Sequence, residues 1–319
     1  MHSVALVVYP QFQSLSLSIG SVFECANLLR GEPAYEFHLV SETGGAVMSS
    51  QGFSVNTTPI RAEGYDSLII SGYLEFRLPE ASLLEVVKTA AAQSRRLVSL
   101  CMGIFVLAEA GLLADKRATT HWLHVPAFKK RYPDIRLEED KLFVVDGQIW
   151  TGAGMSAGVD LALAMVENDL GSDLPRRIAR KLVIAQRRGS EQSQVSALLE
   201  LDPKSDRIQL ALAYARENLR EDLSVEALAA VARLSPRQFS RVFREETGQT
   251  PAKAIESLRV EAARAMMETS RHPVEVVARE TGFGDRERLR QAFLRAFGKP
   301  PQALQKLFFN SDAVAQLQV

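Results

Sequence analysis

Cysteine is nearly absent from this chain: Cys25 and Cys101 are the two in 319 residues. They stand far apart, which excludes a disulfide scaffold and a cysteine-rich metal module and points to a reduced, cytosolic setting. Histidine is as sparse, five in all, with His121 and His124 as the one close pair. With no carboxylate or cysteine at ligand spacing beside them, no metal site and no cofactor are expected. A run of apolar residues long enough to cross a bilayer is missing, and so is the charged-then-apolar start of a secretory signal. One-sided charge is missing too, since 38 Lys+Arg balance 38 Asp+Glu. Only a slight basic excess falls after Asp206, so charge alone names no nucleic-acid partner.

What the chain does contain is a globular composition, 46% hydrophobic and 24% charged, in a length that calls for two domains. It also contains a duplication. VEALAAVARLSPRQFSRVFREETGQTP, starting at Val225, is followed by VEVVARETGFGDRERLRQAFLRAFGKPP, starting at Val274. Val225 matches Val274 and Ala229 matches Ala278; beyond the turn, Phe239, Phe243 and Gly248 match Leu289, Phe293 and Gly298. The offset grows by one inside the turn. Ser235-Pro236 in the first copy and Asp285 after Gly282-Phe283-Gly284 in the second read as N-caps opening a helix. Each copy is therefore a short helix, a tight turn and a second helix.

Spacing divides each second helix into two faces. Phe239, Val242 and Phe243 belong to a core, as do Leu289, Ala292 and Phe293. Arg237, Ser240, Arg241 and Arg244 point outward in the first copy; Arg286, Glu287, Arg290 and Gln291 do so in the second. Taken singly, such a face is a solvated helix surface. Repeated at the same place in a duplicated unit, it suits base reading: arginine can fork onto guanine, and glutamate can accept from a cytosine amine.

Residues 206–306 resemble the paired helix-turn-helix domain of the AraC family of bacterial transcription regulators. The signature residues are Gly282, Phe283, Phe293, Phe297, Gly298 and Pro300. The resemblance implies that the two recognition helices enter successive major grooves, held apart by a helix over residues 251–269. It departs from the wider family at Arg288 and Leu289, where a small or aromatic pair is commoner.

The N-terminal half alternates strands, expected at 3–9, 37–41, 67–71, 97–100, 142–145 and 149–150, with helices at 20–30, 83–94, 156–168 and 175–188. That alternation implies an α/β doubly wound parallel sheet, flavodoxin-like, covered on both faces. The Gly- and Ser-containing stretch after it reads as a linker. Domains are thus expected at 1–188 and 206–309, joined by a linker at 189–205. The strand at 97–100 runs straight into Cys101, Met102, Gly103 and a helix, a turn that raises Cys101 at the carboxyl edge of the sheet. Helix-start N–H groups there can lower a thiol pKa; alternatively Cys101 is a small buried residue closing the strand.

The stretches CMGIFVLAEAGLLADKRATTHW (from Cys101) and TGAGMSAGVDLALAMVENDLG (from Thr151) resemble the class I glutamine amidotransferase-like, ThiJ/PfpI-type domain that precedes AraC-type helices in the GlxA subgroup. Enzymes of that superfamily pair the cysteine with a following histidine or with an acid from the first strand–helix loop. Here Met102 follows, and residues 11–20 carry serines but no carboxylate. The expectation is a non-catalytic pocket at Ser14, Ser16, Gly72, Tyr73, Cys101, Met102 and His121. The resemblance implies a small polar effector there, amino-acid- or amine-like. The whole chain then reads as a cytoplasmic regulator. Its expected partners are promoter DNA, an effector, a second copy of itself and, as a further candidate, RNA polymerase; no membrane is involved. The competing reading is a cysteine-dependent hydrolase or lyase with an accessory DNA-binding domain.

Overall fold

The computed structural model describes residues 1–305 except 74–77, 155, 185, 186, 191, 195–200, 202 and 271. The chain divides into two compact units, Met1–Gln194 and Val195–Val319.

In the first unit the apolar runs become strands: β1 (His2–Val7), β2 (Tyr35–Ser41), β3 (Gly45–Met48), β4 (Ser54–Pro59), β5 (Ser67–Ile70), β6 (Arg96–Leu100), β7 (Arg117–Ala118), β8 (Arg136–Leu137), β9 (Phe143–Asp146) and β10 (Ile149–Gly152). Eight of them form one sheet in the order β3-β4-β2-β1-β5-β6-β10-β9. Its middle, from β4 to β10, is parallel, while β3 and β9 run antiparallel at the two edges. The sheet is thus mixed at its margins rather than wholly parallel. Strands β3 and β4 escaped the sequence reading because β3 is four residues long with Val47 alone buried, and β4 is mostly polar and largely exposed. In the middle, Val4 to Val8 are fully buried in succession, as expected of a parallel strand covered on both faces.

Helices α1 (Gly20–Arg30), α2 (Ala81–Ala92), α3 (Gly103–Glu109), α4 (Val125–Arg131), α5 (Ala157–Leu170) and α6 (Asp173–Lys181) complete the unit. Helix α6 stops at Lys181, short of the expected Arg188: Ile184 N donates back to Ala179 O at 2.9 Å and Val183 takes φ +56°. The described residues after it dock on the same unit. Arg188 grips Asp160 on α5 (Nη2–Oδ2 2.7 Å) and also donates to Ser156 Oγ. Leu142 N donates to Gln192 O. On the far side of the expected linker, Ser205 N and Oγ both donate to Glu246, each at 3.0 Å. The linker expected at 189–205 is therefore held at both described ends, and 195–200 and 202 lie outside the described residues.

Opposite the Cys101 edge, the strand starts are closed by a buried ion cluster. Arg96 pairs with Asp169 at 2.6 Å, both nearly fully buried. Tyr35, Asn168, Ser67 and Arg95 supply further hydrogen bonds around them.

Among the described residues the second unit is built of helices: α7 (Asp206–Glu217), α8 (Val225–Val231), α9 (Pro236–Thr247), α10 (Pro251–Thr269), α11 (Val274–Glu280) and α12 (Arg286–Phe297). It has two small cores that share α10. Ala254, Ile255 and Leu258 pack with Ile208, Leu228, Phe239 and Phe243; Val260, Ala263 and Met267 pack with Val277, Phe283, Leu289 and Phe293. One helix thus serves both helix-turn-helix units.

Candidate DNA interface and effector site

The two copies repeat atom by atom through the turn. Leu234 N donates to Ala229 O and Phe283 N to Ala278 O, each at 2.9 Å. Arg233 in one copy and Gly282 in the other take left-handed backbone, φ +54° and +80°. The extra residue of the second copy is Gly284, also left-handed at +78°. Ser235 caps α9 through a capping box with Gln238, and Asp285 caps α12 through Arg288 N. Gly248 and Gly298 end the two helices in the left-handed conformation.

These caps leave Phe239 and Leu289 inward and the predicted reading face outward. Arg237, Arg241, Arg244, Arg286, Glu287 and Gln291 are exposed, and Ser240 and Arg290 half-buried. The two faces differ in electrostatics. On α9, Arg241 pairs with Glu245 at 2.9 Å, and Arg237 and Arg244 have no ion pair among the described residues. On α12, Glu287 holds Arg290 (2.7 and 2.8 Å) and Gln291 (2.8 Å), while Arg286 reaches Glu275 at 3.2 Å. Hydrogen bonds from Arg290 and Gln291 bring the Glu287 carboxyl down to about 2. A cleft of about 450 Å³ opens beside α12, lined by Arg259, Phe283, Glu287, Gln291 and Arg295. Sequence reasoning had no reason to single out Arg259, which donates to Leu219 O and Glu221 O and so ties α10 to the end of α7.

In the first unit, Cys101 occupies a strained turn at φ +52°. Three glycines make the turn possible. A Cβ on Gly154 would stand 2.2 Å from Cys101 Cβ, one on Gly72 3.0 Å from it, and one on Gly103 2.5 Å from Ile70 O. Cys101 N donates to Gly152 O, and Thr120 Oγ1 donates to Cys101 O, both at 2.9 Å. Of the expected pocket residues, Ser16, Gly72, Tyr73, Cys101 and Met102 converge. Ser16 Oγ accepts from Gly72 N, Gly72 lies against Cys101, and Tyr73 packs its ring 4.5 Å from Tyr9. Ser14 is half-buried two residues before Ser16. His121 is bound to this group only through the chain, next to Thr120; its Nδ1 accepts from Leu123 N, and burial lowers its pKa.

The thiol departs from the expectation of a lowered pKa. Burial pushes Cys101 up to about 11, against a single opposing hydrogen bond from Met102 N–H. One helix-start donor does not offset the loss of water around a residue that is 1% exposed. Two hydroxyls flanking Gly72 in sequence, Ser71 Oγ and Tyr73 Oη, are buried, and both share the Tyr9 phenol as partner.

The DJ-1/PfpI family profile matches residues 2–168, and a profile for a helix-turn-helix domain matches residues 228–307. The HTH-type transcriptional regulator GlxA of Rhizobium meliloti is 30% identical over 286 residues, 88% of each chain. The chain belongs to the GlxA-type regulators of the AraC family. As an AraC-type regulator it binds double-stranded DNA through its helix-turn-helix domain. A crystal structure of an AraC family transcriptional regulator from Pseudomonas putida shares the fold of the first unit at TM-score 0.52 and 24% identity, covering 57% of this chain and all of that one. The same unit is also similar to an enzyme: isonitrile hydratase of Pseudomonas putida is 32% identical over 187 residues, 57% of this chain and 78% of that one. In this regulator no group of three or more His, Cys, Asp or Glu side chains is arranged to hold a metal ion among the described residues. No helix among them is long and apolar enough to cross a membrane.

Proposed function

We propose that this AraC-type regulator senses a small polar effector, amino-acid- or amine-like, at the Cys101 edge without turning it over. The observation that carries this reading is the set of polar side chains around Gly72, which itself lies against Cys101: Ser16 on the Gly72 N–H, and the buried Ser71 and Tyr73 hydroxyls sharing the Tyr9 phenol. Hydroxyls that share one phenol keep hydrogen-bonding capacity, which a ligand with polar atoms would use. Ser14, Ser16, Gly72, Tyr73, Cys101, Met102 and His121 form the effector site in this reading. The edge lies at the switch point where the chain leaves β1 to one side and β5 to the other, the usual place for a ligand in such sheets.

Chemistry at Cys101 is disfavoured by the thiol itself, pushed up to about 11, and by Met102 where a partner histidine would stand. A nucleophile without a base or acid beside it is weak. The regulator acts as a homodimer through residues 1–188 in the cytoplasm, with 206–309 on the promoter and RNA polymerase as the further partner; Arg237, Ser240, Arg241, Arg244, Arg286, Glu287, Arg290 and Gln291 read the DNA. Residues 306–309 of that span lie outside the described residues.

The test is a thermal-shift screen of the full-length protein against amino acids, polyamines and quaternary ammonium compounds, run beside turnover assays on amides, 2-oxoaldehydes and isonitriles. A ligand at 100 times its Kd stabilises by about 2.7 kcal/mol. A shift without turnover supports the sensor; turnover lost in Cys101→Ser would establish the enzyme instead.

A further inference from the structure

We propose that Gln194 is the positioning residue that couples the Cys101 edge to the chain leading into the DNA-binding domain. Gln194 is the last residue of the first unit. Its side chain is used at both ends. Nε2 donates to Thr120 O at 2.8 Å, Lys141 O at 3.0 Å and Glu139 O at 3.1 Å, and Oε1 accepts from Trp122 N at 2.8 Å. Its own backbone N–H and the Ser193 hydroxyl both reach Asp140 Oδ1. A side-chain amide suits this place because it donates and accepts within one planar group. Glutamate would set charge against three carbonyls, and methionine would remove the Gln194 bonds from all four backbone groups, leaving Lys141 O with Thr119 Oγ1.

The other half of the link is Thr120, fully buried, whose hydroxyl donates to the carbonyl of Cys101 itself. Two side chains therefore connect the elbow to the exit of the chain, and His121 sits between the two residues that Gln194 clasps. Upstream, Arg188 locks the same strap to Asp160. A shift of residues 120–122 at the elbow must break the Gln194 bonds or carry Gln194 with it. Undocking 188–194 would add seven residues of free tether, roughly 24 Å of reach, to a chain that has a DNA-binding domain at its end. This rests on the Cys101 edge being the effector site, but the link can be tested without a ligand.

The experiment uses full-length protein carrying Gln194→Met, Gln194→Glu, Thr120→Val or Thr120→Ser, with hydrogen exchange read by mass spectrometry and unstimulated output read from a promoter reporter. Thr120→Val should speed exchange in 187–194 by tenfold or more, and Gln194→Met should do the same in 120–124. Both should shift output at least threefold in one direction, Gln194→Glu at least as far, and Thr120→Ser, which keeps the donor, should behave as the parent. Exchange altered only around the substituted residue would overturn the coupling. So would coupled exchange with unchanged output, which leaves a merely structural strap. Should Thr120→Val fail to fold, the Gln194 variants and their effect on 120–124 decide alone. A ligand screen without hits, alongside intact coupling, counts against the effector reading only. A ligand that protects 71–73 and 101 but leaves 187–194 unchanged counts against the coupling only.

Discussion

A Cβ placed on Gly282 would stand 1.8 Å from the carbonyl oxygen of Leu219. That oxygen accepts from Arg259 Nε at 3.1 Å, so the turn of the second helix-turn-helix, the chain just after α7 and the shared helix α10 meet at one point. The corresponding residue of the first copy, Arg233, has the same left-handed backbone and already carries a side chain there.

Gly282→Ala should therefore destabilise the DNA-binding domain by about 2–4 kcal/mol, the left-handed strain and the clash acting together. Arg233→Gly should be tolerated within about 1 kcal/mol, because relief of strain offsets the added freedom of the unfolded chain. Urea unfolding followed by circular dichroism distinguishes them; equal effects would remove the Leu219 contact as the cause.

On the DNA, alanine at Arg237 or Arg241 should cost about 1–3 kcal/mol on a selected operator and relax preference at one position. Loss of the same size on random DNA would make them phosphate contacts. Anisotropy titrations on both duplexes give the answer.

Glu287 stays ionised at any working pH, its carboxyl brought down to about 2 by Arg290 and Gln291. Glu287→Gln should free Arg290 for phosphate, raise affinity for random DNA and steepen the log–log salt slope by about one unit. An unchanged slope would mean that Arg290 makes no phosphate contact even when released.

The Arg96–Asp169 pair sets an acid limit on the first unit. Burial pulls the Asp169 carboxyl up, but hydrogen bonds and charge from Arg96 and Arg95 outweigh it and hold the pKa below its ordinary value. Its stabilisation is complete above the unfolded pKa of about 3.9 and is lost as pH falls through the lower folded value. Asp169→Asn should cost about 3–5 kcal/mol near neutrality and flatten the stability profile below about pH 4. Denaturant midpoints between pH 2.5 and 7 measure both.

At Cys101, serine should leave fold and promoter response nearly intact, whereas tryptophan should abolish response and spare DNA binding. The native thiol, pushed up to about 11, should alkylate at pH 8 far more slowly than the same cysteine in the unfolded chain. Rapid labelling in the native state, or response lost in Cys101→Ser with DNA binding kept, would point to a covalent or redox sensor.

The duplicated pattern, with its capping residues and its 3.6-residue apolar spacing, determined the helix-turn-helix pair, because caps and amphipathic faces are local and are written in consecutive residues. The spacer helix, with proline at its first turn, was readable for the same reason. So were the buried parallel strands, whose residues are continuously apolar, and the elbow at Cys101. Strands β3 and β4 were not, since one is only four residues long and the other mostly polar, and both are largely exposed. Nor was the early end of α6, where Val183 accepts a left-handed backbone that its side chain disfavours. Tertiary structure alone decided the raised thiol, because Gly72 and Gly154, from the ends of β5 and β10, close on Cys101 where burial desolvates it. It alone brought Gln194 to Thr120 and Gly282 to Leu219, contacts between residues 74 and 63 positions apart, which no local spacing can encode.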